Sequence, residues 1–462
     1  MVFSSLVFIG VFLPLVLLLY NLSKNITYRN FILVLVSLVF YAWGEPSLVI
    51  LLAVSILVNY ALGRAIDSFF GKPASKAAFI GAVVFNLGLL GVFKYTGFFV
   101  TNLNAVLPFH IPEPKLSLPL GISFYTFQTL TYIIDLYKGR VWVQKSLLKF
   151  AAYISMFPQI ASGPIVRYSV IAQQLDHREV TAQGFADGIK RFASGMCKKL
   201  LLANNVGNAA SMLLDSARLS TGSAWLGILL YTFQIYFDFS SYSDMAIGLG
   251  KMLGFTFTEN FDYPYISKSI TEFWRRWHIS LSSFFRDYVY IPLGGNRYRP
   301  ARNLFIVWFL TGMWHGASWN FIFWGLFYGI MLFIEKYLFK GILQKLPPPI
   351  CYIYTMATVM FGWALFYYTD TASLFNWVKS AFGYGSAAYD LGTVTTLCSN
   401  LWLIIICLIA STPAPRWIFN AICQHNVKFA AVFEPLCIIA AMAVCFTMLV
   451  GSTYSPFLYF KF

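Results

Sequence analysis

The residue best suited to chemistry is His315, which lies in the sequence TGMWHGASWN at positions 311–320. No other side chain in that segment is ionisable, and an ionisable residue within an apolar segment is costly enough to indicate a function. Burial favours the neutral imidazole, which can accept a proton from an attacking hydroxyl group. Gly312 and Gly316 allow a substrate or another backbone to approach closely. The alternative is a structural histidine that hydrogen-bonds a neighbouring helix.

A second histidine, His278, lies between aromatic and basic residues in the sequence WRRWHIS at positions 274–280. Such a histidine is ordinary at a membrane interface, so a catalytic role depends on its proximity to His315. The three remaining histidines lie in short polar connections and are expected to be loop residues: His110, His177 and His425.

The amino-acid composition indicates whether water or lipid surrounds the structural elements that hold these histidines. The chain has 462 residues, of which 58% are hydrophobic and only 11% are charged. Soluble domains contain about 25% charged residues, so this chain cannot cover a water-facing surface. The sequence therefore predicts an all-α polytopic membrane protein with about 10–12 transmembrane or re-entrant helices.

The net charge of +15 does not indicate nucleic-acid binding, because the basic residues form short clusters between apolar runs. That pattern is typical of cytoplasmic loops, and it places the N-terminus outside and the clusters around Lys24, Lys145 and Arg178 in the cytoplasm. The seven cysteines contain no C-x-x-C pair, which argues against a zinc site or a disulfide framework. We expect no bound metal or cofactor.

Two apolar runs are interrupted in ways that indicate a cavity. The run 150–166 has basic residues at both ends and contains Pro158, Gly163 and Pro164, so it is predicted to be re-entrant. The run 303–336 is predicted to be a broken helical hairpin with its break near Gly316. His315 then lies within the membrane, about 20 Å beyond Arg302 at 1.5 Å per residue.

Five motifs occur in an order that resembles the membrane-bound O-acyltransferases, and the bacterial alginate O-acetyltransferase branch in particular. They are LPLGISFYTFQTLTYIIDLY at 118–137, FPQIASGPIVRY at 157–168, FDFSSYSDMAIGLG at 237–250, FWRRWHISLSSFFRDYVYIPLGGNR at 273–297 and the segment 311–320. The resemblance covers about residues 1–335. The C-terminal helices expected over 350–450 match only in being hydrophobic, and residues 1–462 are interpreted as a single membrane domain.

The resemblance implies helices arranged around a central funnel or chamber, with His315 as catalytic base or acyl relay and His278 as its partner. It also implies an acyl thioester donor, acetyl-CoA, whose phosphates a cationic rim would attract. The residues expected to bind the donor are Arg275, Arg276, Arg286 and Arg297. Those expected to line the chamber, or to pack between helices, are Asp238, Ser240, Tyr242 and Asn320.

The same resemblance implies a multi-pass location in the bacterial plasma (inner) membrane. It also implies that the acetyl group reaches a hydroxyl of an exported cell-surface polysaccharide, with a separate extracytoplasmic transferase as partner. One alternative is D-alanyl transfer to teichoic acid from a carrier-protein thioester. A proton-coupled polysaccharide or lipid transporter, or a scaffold of a secretion complex, are alternatives from other classes. A transporter would be expected to hold more acidic residues within its spans.

Overall fold

The computed structural model describes residues 1–114, 116–339, 341–425, 427–451 and 457. Within these ranges every regular element is a helix and none is a strand, which confirms the predicted all-α class. The chain divides into two compact units, one comprising Met1–Phe192 with Ser243–Glu259 and the other comprising Ala193–Tyr242 with Asn260–Phe462. The interpretation of residues 1–462 as a single domain stays a prediction.

The helices that begin in the first unit are α1 (Leu13–Asn21), α2 (Ile26–Gly44), α3 (Val49–Ser68), α4 (Pro73–Leu90), α5 (Thr96–Asn104), α6 (Ile122–Tyr137), α7 (Leu147–Ser155), α8 (Phe157–Ile160), α9 (Tyr168–Asp176) and α10 (Ala182–Cys197). Those that begin in the second unit are α11 (Asn204–Leu214), α12 (Thr221–Met252), α13 (Ile270–Arg276), α14 (Ile279–Phe285), α15 (Pro300–His315), α16 (Trp319–Tyr337), α17 (Ile342–Lys345), α18 (Pro348–Tyr367), α19 (Thr371–Ala381), α20 (Leu391–Ala410), α21 (Ala414–His425) and α22 (Val427–Gly451). Short π-helical segments at Phe8–Phe12, Gly91–Tyr95, Lys198–Ala203 and Arg286–Tyr290, and a 3₁₀ turn at Pro264–Ile266, interrupt or join them.

The predicted interruption of the run 150–166 is confirmed. Helix α7 ends at Ser155, Met156 leaves the helical conformation, and α8 extends for only four residues. All residues from Tyr153 to Val166 are buried, as irregular backbone at membrane depth must be. Gly121 makes this packing possible, since a Cβ on it would lie 1.7 Å from the carbonyl oxygen of Ile160.

The predicted helical hairpin over 303–336 is also confirmed, as α15 followed by α16. Helix α15 ends at His315, Gly316 is extended at φ −166°, and α16 begins at Trp319. The two helices approach closely because Gly325 has no side chain: a Cβ there would lie 2.3 Å from the carbonyl oxygen of Trp308. His315 is thereby held at a helix end inside the protein.

Six helical segments among the described residues are long and apolar enough to cross a bilayer, consistent with a multi-pass membrane protein. They are Ile26–Gly44, Val49–Ser68, Pro73–Asn104, Pro348–Tyr367, Leu391–Ala410 and Lys428–Gly451. Many of their apolar side chains are exposed, which is expected of surfaces that face lipid. The predicted total of about 10–12 also counts shorter and interrupted helices, and it stays a prediction, as does the central funnel.

Candidate active site

His278 and His315 line the same cavity, which lies in the second unit and has a volume of about 240 Å³. Both rings are buried, with exposures of 1% and 4%. They are separated by 36 residues of sequence, and helices α13 to α15 bring them to one site. Sequence analysis made a catalytic role of His278 depend on its position relative to His315, and the two side chains share this cavity; the role itself stays a prediction.

The cavity follows one face of α15. Its lining residues on that helix are spaced at three or four positions, as one helical face requires: Leu304, Val307, Trp308, Thr311 and His315. Eleven residues separate the first from the last, so the lined face is about 16 Å long at 1.5 Å per residue. Arg275 and Arg286, which also line the cavity, are exposed, whereas both histidines are buried. The lining of the cavity thus combines exposed cationic side chains with two buried histidines.

His315 is the last residue of α15 and is surrounded by aromatic rings. The ring of Trp324 lies edge-on at 4.8 Å between centroids, that of Phe366 at 5.4 Å and that of Trp314 at 4.9 Å. These neutral rings limit the motion of the imidazole and place no charge beside it. The C-terminal end of a helix carries a partial negative charge, which stabilises a protonated imidazole at this position.

His278 lies between α13 and α14 in the left-handed conformation, at φ 45° and ψ 55°. A residue other than glycine in that region is strained by about 1–3 kcal/mol, so the surroundings must hold it there. Asn260 does so: its carbonyl oxygen accepts from the Ile279 N–H at 2.9 Å. Its side-chain Oδ1 accepts from the N–H and the hydroxyl of Ser280 at 3.2 and 2.8 Å.

The same Oδ1 of Asn260 lies 3.1 Å from His278 Nδ1. Because that atom accepts from the Ser280 N–H it is the amide oxygen, and His278 Nδ1 must be the donor. Burial lowers the pKa of the His278 imidazole to about 3, so the ring is neutral and its Nε2 carries the lone pair. His278 can therefore accept a hydrogen bond through Nε2 while it remains neutral.

Of the four arginines predicted to bind the donor, the cavity includes Arg275 and Arg286. Arg276 instead pairs with Asp262 and Glu272, both at 3.0 Å. Arg297 is exposed and does not line this cavity. The guanidinium of Arg286 also pairs with Asp287 at 2.6 Å. A donor-binding role for the four stays a prediction, and the geometry favours Arg275 and Arg286.

The four residues predicted to line the chamber are buried, but none of them lines the cavity that holds the two histidines. Asp238 pairs with Lys199 at 2.5 Å, and both side chains are nearly inaccessible. Tyr242 packs edge-on against Phe457 at 4.8 Å. Asn320 Nδ2 donates to the Leu365 carbonyl at 3.4 Å. The side chain of Ser240, on α12, is buried. These contacts agree with the packing role that was the alternative interpretation.

Sequence reasoning missed Asn260, Trp308 and Thr311. The last two lie seven and four residues before His315, so helical periodicity on α15 could have identified them. Asn260 had no such signal, because it lies in an irregular stretch and contacts His278 only through the tertiary fold.

Comparison with known proteins provides an independent indication. The model of the membrane-bound O-acyltransferase family matches residues 143–377. A probable alginate O-acetylase of Azotobacter vinelandii is 38% identical, with all of both chains covered. A probable alginate O-acetylase of Pseudomonas aeruginosa is 43% identical over 84% of this chain and 76% of its own. A peptidoglycan O-acetyltransferase of Helicobacter pylori is 35% identical over 83% of this chain and 80% of its own.

Proposed function

The chain belongs to the membrane-bound O-acyltransferase family, and from that premise we propose that it transfers an acetyl group from acetyl-CoA toward an exported polysaccharide. Relatives named for alginate and peptidoglycan O-acetylation support acetyl as the group and a polysaccharide hydroxyl as its destination. The plasma membrane is the proposed location, because a cytoplasmic thioester and an exported acceptor meet only there. An extracytoplasmic transferase is the proposed partner.

The observation that carries this proposal is the single cavity lined by His278 and His315. We assign His315 as general base. It takes the proton of the acceptor hydroxyl, whose oxygen attacks the thioester carbonyl carbon. The C–O ester bond forms as the C–S bond breaks, and the departing thiolate takes the proton back from the imidazolium. The C-terminal end of α15 stabilises the imidazolium while it exists.

His278 acts beside this step without changing charge. Its neutral ring, with the lone pair on Nε2, can accept a hydrogen bond from the acceptor hydroxyl or from the donor and so hold the reacting groups together. This assignment makes His278 an orienting residue and leaves the proton transfer to His315.

The shape of the cavity supports a donor with a long, narrow arm. Its mostly apolar wall extends about 16 Å from Leu304 to His315, and the exposed Arg275 and Arg286 lie among its lining residues. A phosphate-bearing group at the arginines would place a thioester at the end of such an arm near the histidines. Coenzyme A has both features.

Single-turnover transfer tests the proposal. Radiolabelled acetyl-CoA is mixed with purified protein in nanodiscs and a polysaccharide fragment that carries free hydroxyl groups, and the label that moves from CoA to the fragment is followed for wild type, His315→Ala and His425→Ala. His425 is an exposed histidine at the end of α21 and serves as the matched control. Turnover by wild type and His425→Ala but not by His315→Ala is expected.

Full activity of a correctly folded His315→Ala protein would remove the assignment of the base. If wild type is inactive with acetyl-CoA but active with a D-alanylated carrier protein, the donor is the carrier thioester and acetyl transfer is the wrong reaction.

A further inference from the structure

A second cavity, in the first unit, contains an excess of positive charge that the proposed acyl transfer does not use. Its volume is about 560 Å³, and its charged or titratable lining residues are Lys24, Arg29, Asp176, His177, Arg178 and Glu179. Asp176 already forms an ion pair with Lys149. The remaining charged side chains of the lining are one carboxylate, Glu179, and three cations, Lys24, Arg29 and Arg178. The cavity is therefore cationic.

Two of these cations are held around one aromatic ring. The guanidinium carbon of Arg29 lies 5.2 Å from the ring centroid of Tyr20, and that of Arg178 lies 5.6 Å from it. Arg178 Nε donates to the Tyr20 hydroxyl at 2.6 Å, and that hydroxyl donates to the Leu253 carbonyl at 2.7 Å. Both arginines are thus fixed by packing rather than left mobile at the surface.

Neither Arg29 nor Arg178 forms an ion pair with a carboxylate of the described part of the chain. Arg29 is only 7% exposed, and within the described residues it donates from Nε to the Ser23 carbonyl at 2.9 Å. Arg178 Nη2 is buried and has no hydrogen-bond partner among the described residues. Arg29 is buried and Arg178 is partly buried, so two like charges without a carboxylate partner among the described residues are costly, and the buried Nη2 donor without an acceptor there adds to that cost.

The electrostatics of Arg178 agree with this geometry. Burial, opposed by Tyr20 and reinforced by Arg29, lowers the pKa of the Arg178 guanidinium. An anion in the cavity would reverse that effect, because it would compensate both guanidinium groups at once.

We propose that this cavity binds a phosphate-bearing anion, either the phosphodiester of an anionic lipid headgroup or free phosphate, through Arg29 and Arg178. Guanidinium groups bind phosphate oxygens in a bidentate manner, and both Arg29 and Arg178 line the cavity. Ile26, the first residue of α2, also lines the cavity, so the positive end of that 19-residue helix adds to the attraction. Basic cavities of this kind between helices suit lipid headgroups.

Native mass spectrometry and thermal unfolding test the proposal and separate the two sources of phosphate. The purified full-length protein is titrated with phosphatidylglycerol, with phosphatidylcholine and with inorganic phosphate. Wild type is expected to retain phosphatidylglycerol about 10-fold better than Arg29→Gln or Arg178→Gln, the loss expected when one charge-assisted phosphate contact is removed. Arg416→Gln, which removes an exposed arginine of α21, is the matched control and is expected to behave as wild type.

Arginine-dependent retention of phosphatidylglycerol without a response to inorganic phosphate assigns the site to a lipid headgroup. Arginine-dependent thermal stabilisation by inorganic phosphate, with no preference for phosphatidylglycerol, assigns it to a soluble anion. Equal lipid retention and equal phosphate response in Arg29→Gln, Arg178→Gln and Arg416→Gln would overturn the proposal. Arg178→Lys keeps the positive charge but loses the paired N–H donors of the guanidinium group, so it serves as a second variant if Arg178→Gln does not fold.

Discussion

Asn260 Oδ1 lies 3.1 Å from His278 Nδ1, and this contact determines which ring nitrogen carries the proton. The same oxygen accepts two hydrogen bonds from Ser280, so it cannot act as a donor toward the imidazole. His278 consequently presents Nε2 as an acceptor while its backbone is held in a left-handed conformation. Asn260, which sequence analysis overlooked, thus fixes the tautomer of His278, which sequence analysis singled out.

Replacing Asn260 with Leu is expected to lower kcat with little change in KM. The substitution keeps the size of the side chain and removes the acceptor, which costs about 1–3 kcal/mol, or roughly 10-fold to 100-fold in rate. Asn260→Asp keeps an acceptor oxygen and is expected to retain more activity. Carbon-13 NMR of the histidine rings should show His278 changing tautomer in Asn260→Leu but not in wild type. An unchanged His278 signal in a folded Asn260→Leu protein would contradict this role.

The two exposed arginines that line the candidate active-site cavity should affect donor binding more than catalysis. Arg275→Gln and Arg286→Gln are each expected to raise the KM for acetyl-CoA about 2-fold to 5-fold, as loss of an exposed charge contact does, while kcat changes little. Arg297→Gln, an exposed arginine outside the cavity, is the control and should leave KM unchanged. Steady-state kinetics at low and high salt measure this. If Arg297→Gln raises KM as much as the other two, the donor is bound elsewhere.

The close approach of α15 and α16 predicts that Gly325 tolerates no side chain. A Cβ at this position would lie 2.3 Å from the Trp308 carbonyl oxygen and 3.0 Å from Gly312 Cα, so Gly325→Ala should destabilise the protein by about 1–3 kcal/mol. Gly88→Ala is the control, because nothing lies within 4 Å of a Cβ there. Thermal unfolding in detergent compares the two. Equal melting temperatures would mean that the hairpin is looser than the structure indicates.

The Lys199–Asp238 pair predicts a structural, not a catalytic, effect of mutating Asp238. Asp238→Asn leaves the buried lysine without its counterion and should cost about 3–5 kcal/mol of stability. The double variant Lys199→Met/Asp238→Leu should recover much of that stability and keep activity. Melting temperature and single-turnover rate are measured together. A stable but inactive double variant would instead return Asp238 to the reaction chamber.

Local features of the sequence are enough to predict the surrounding lipid, the all-α class and the candidate catalytic residue. The low charged fraction requires lipid, the glycines and prolines mark the breaks near Met156 and Gly316, and His315 is the ionisable residue of its segment. Each of these signals is local, since it depends on residues within one helix or its ends. Such signals can be recognised without knowing how the helices pack, and the structure confirmed both helix breaks.

Which of these residues contact one another depends on the tertiary structure. Arg275 and Arg276 are adjacent on α13, and successive residues of a helix point about 100° apart, so no pattern could tell which one faces the cavity. Asn260 reaches His278 from an irregular segment, and Arg178 shares a ring with Arg29 from about 150 residues away. Contacts of this kind depend on how helices pack, and packing is a property of the whole chain rather than of any one segment.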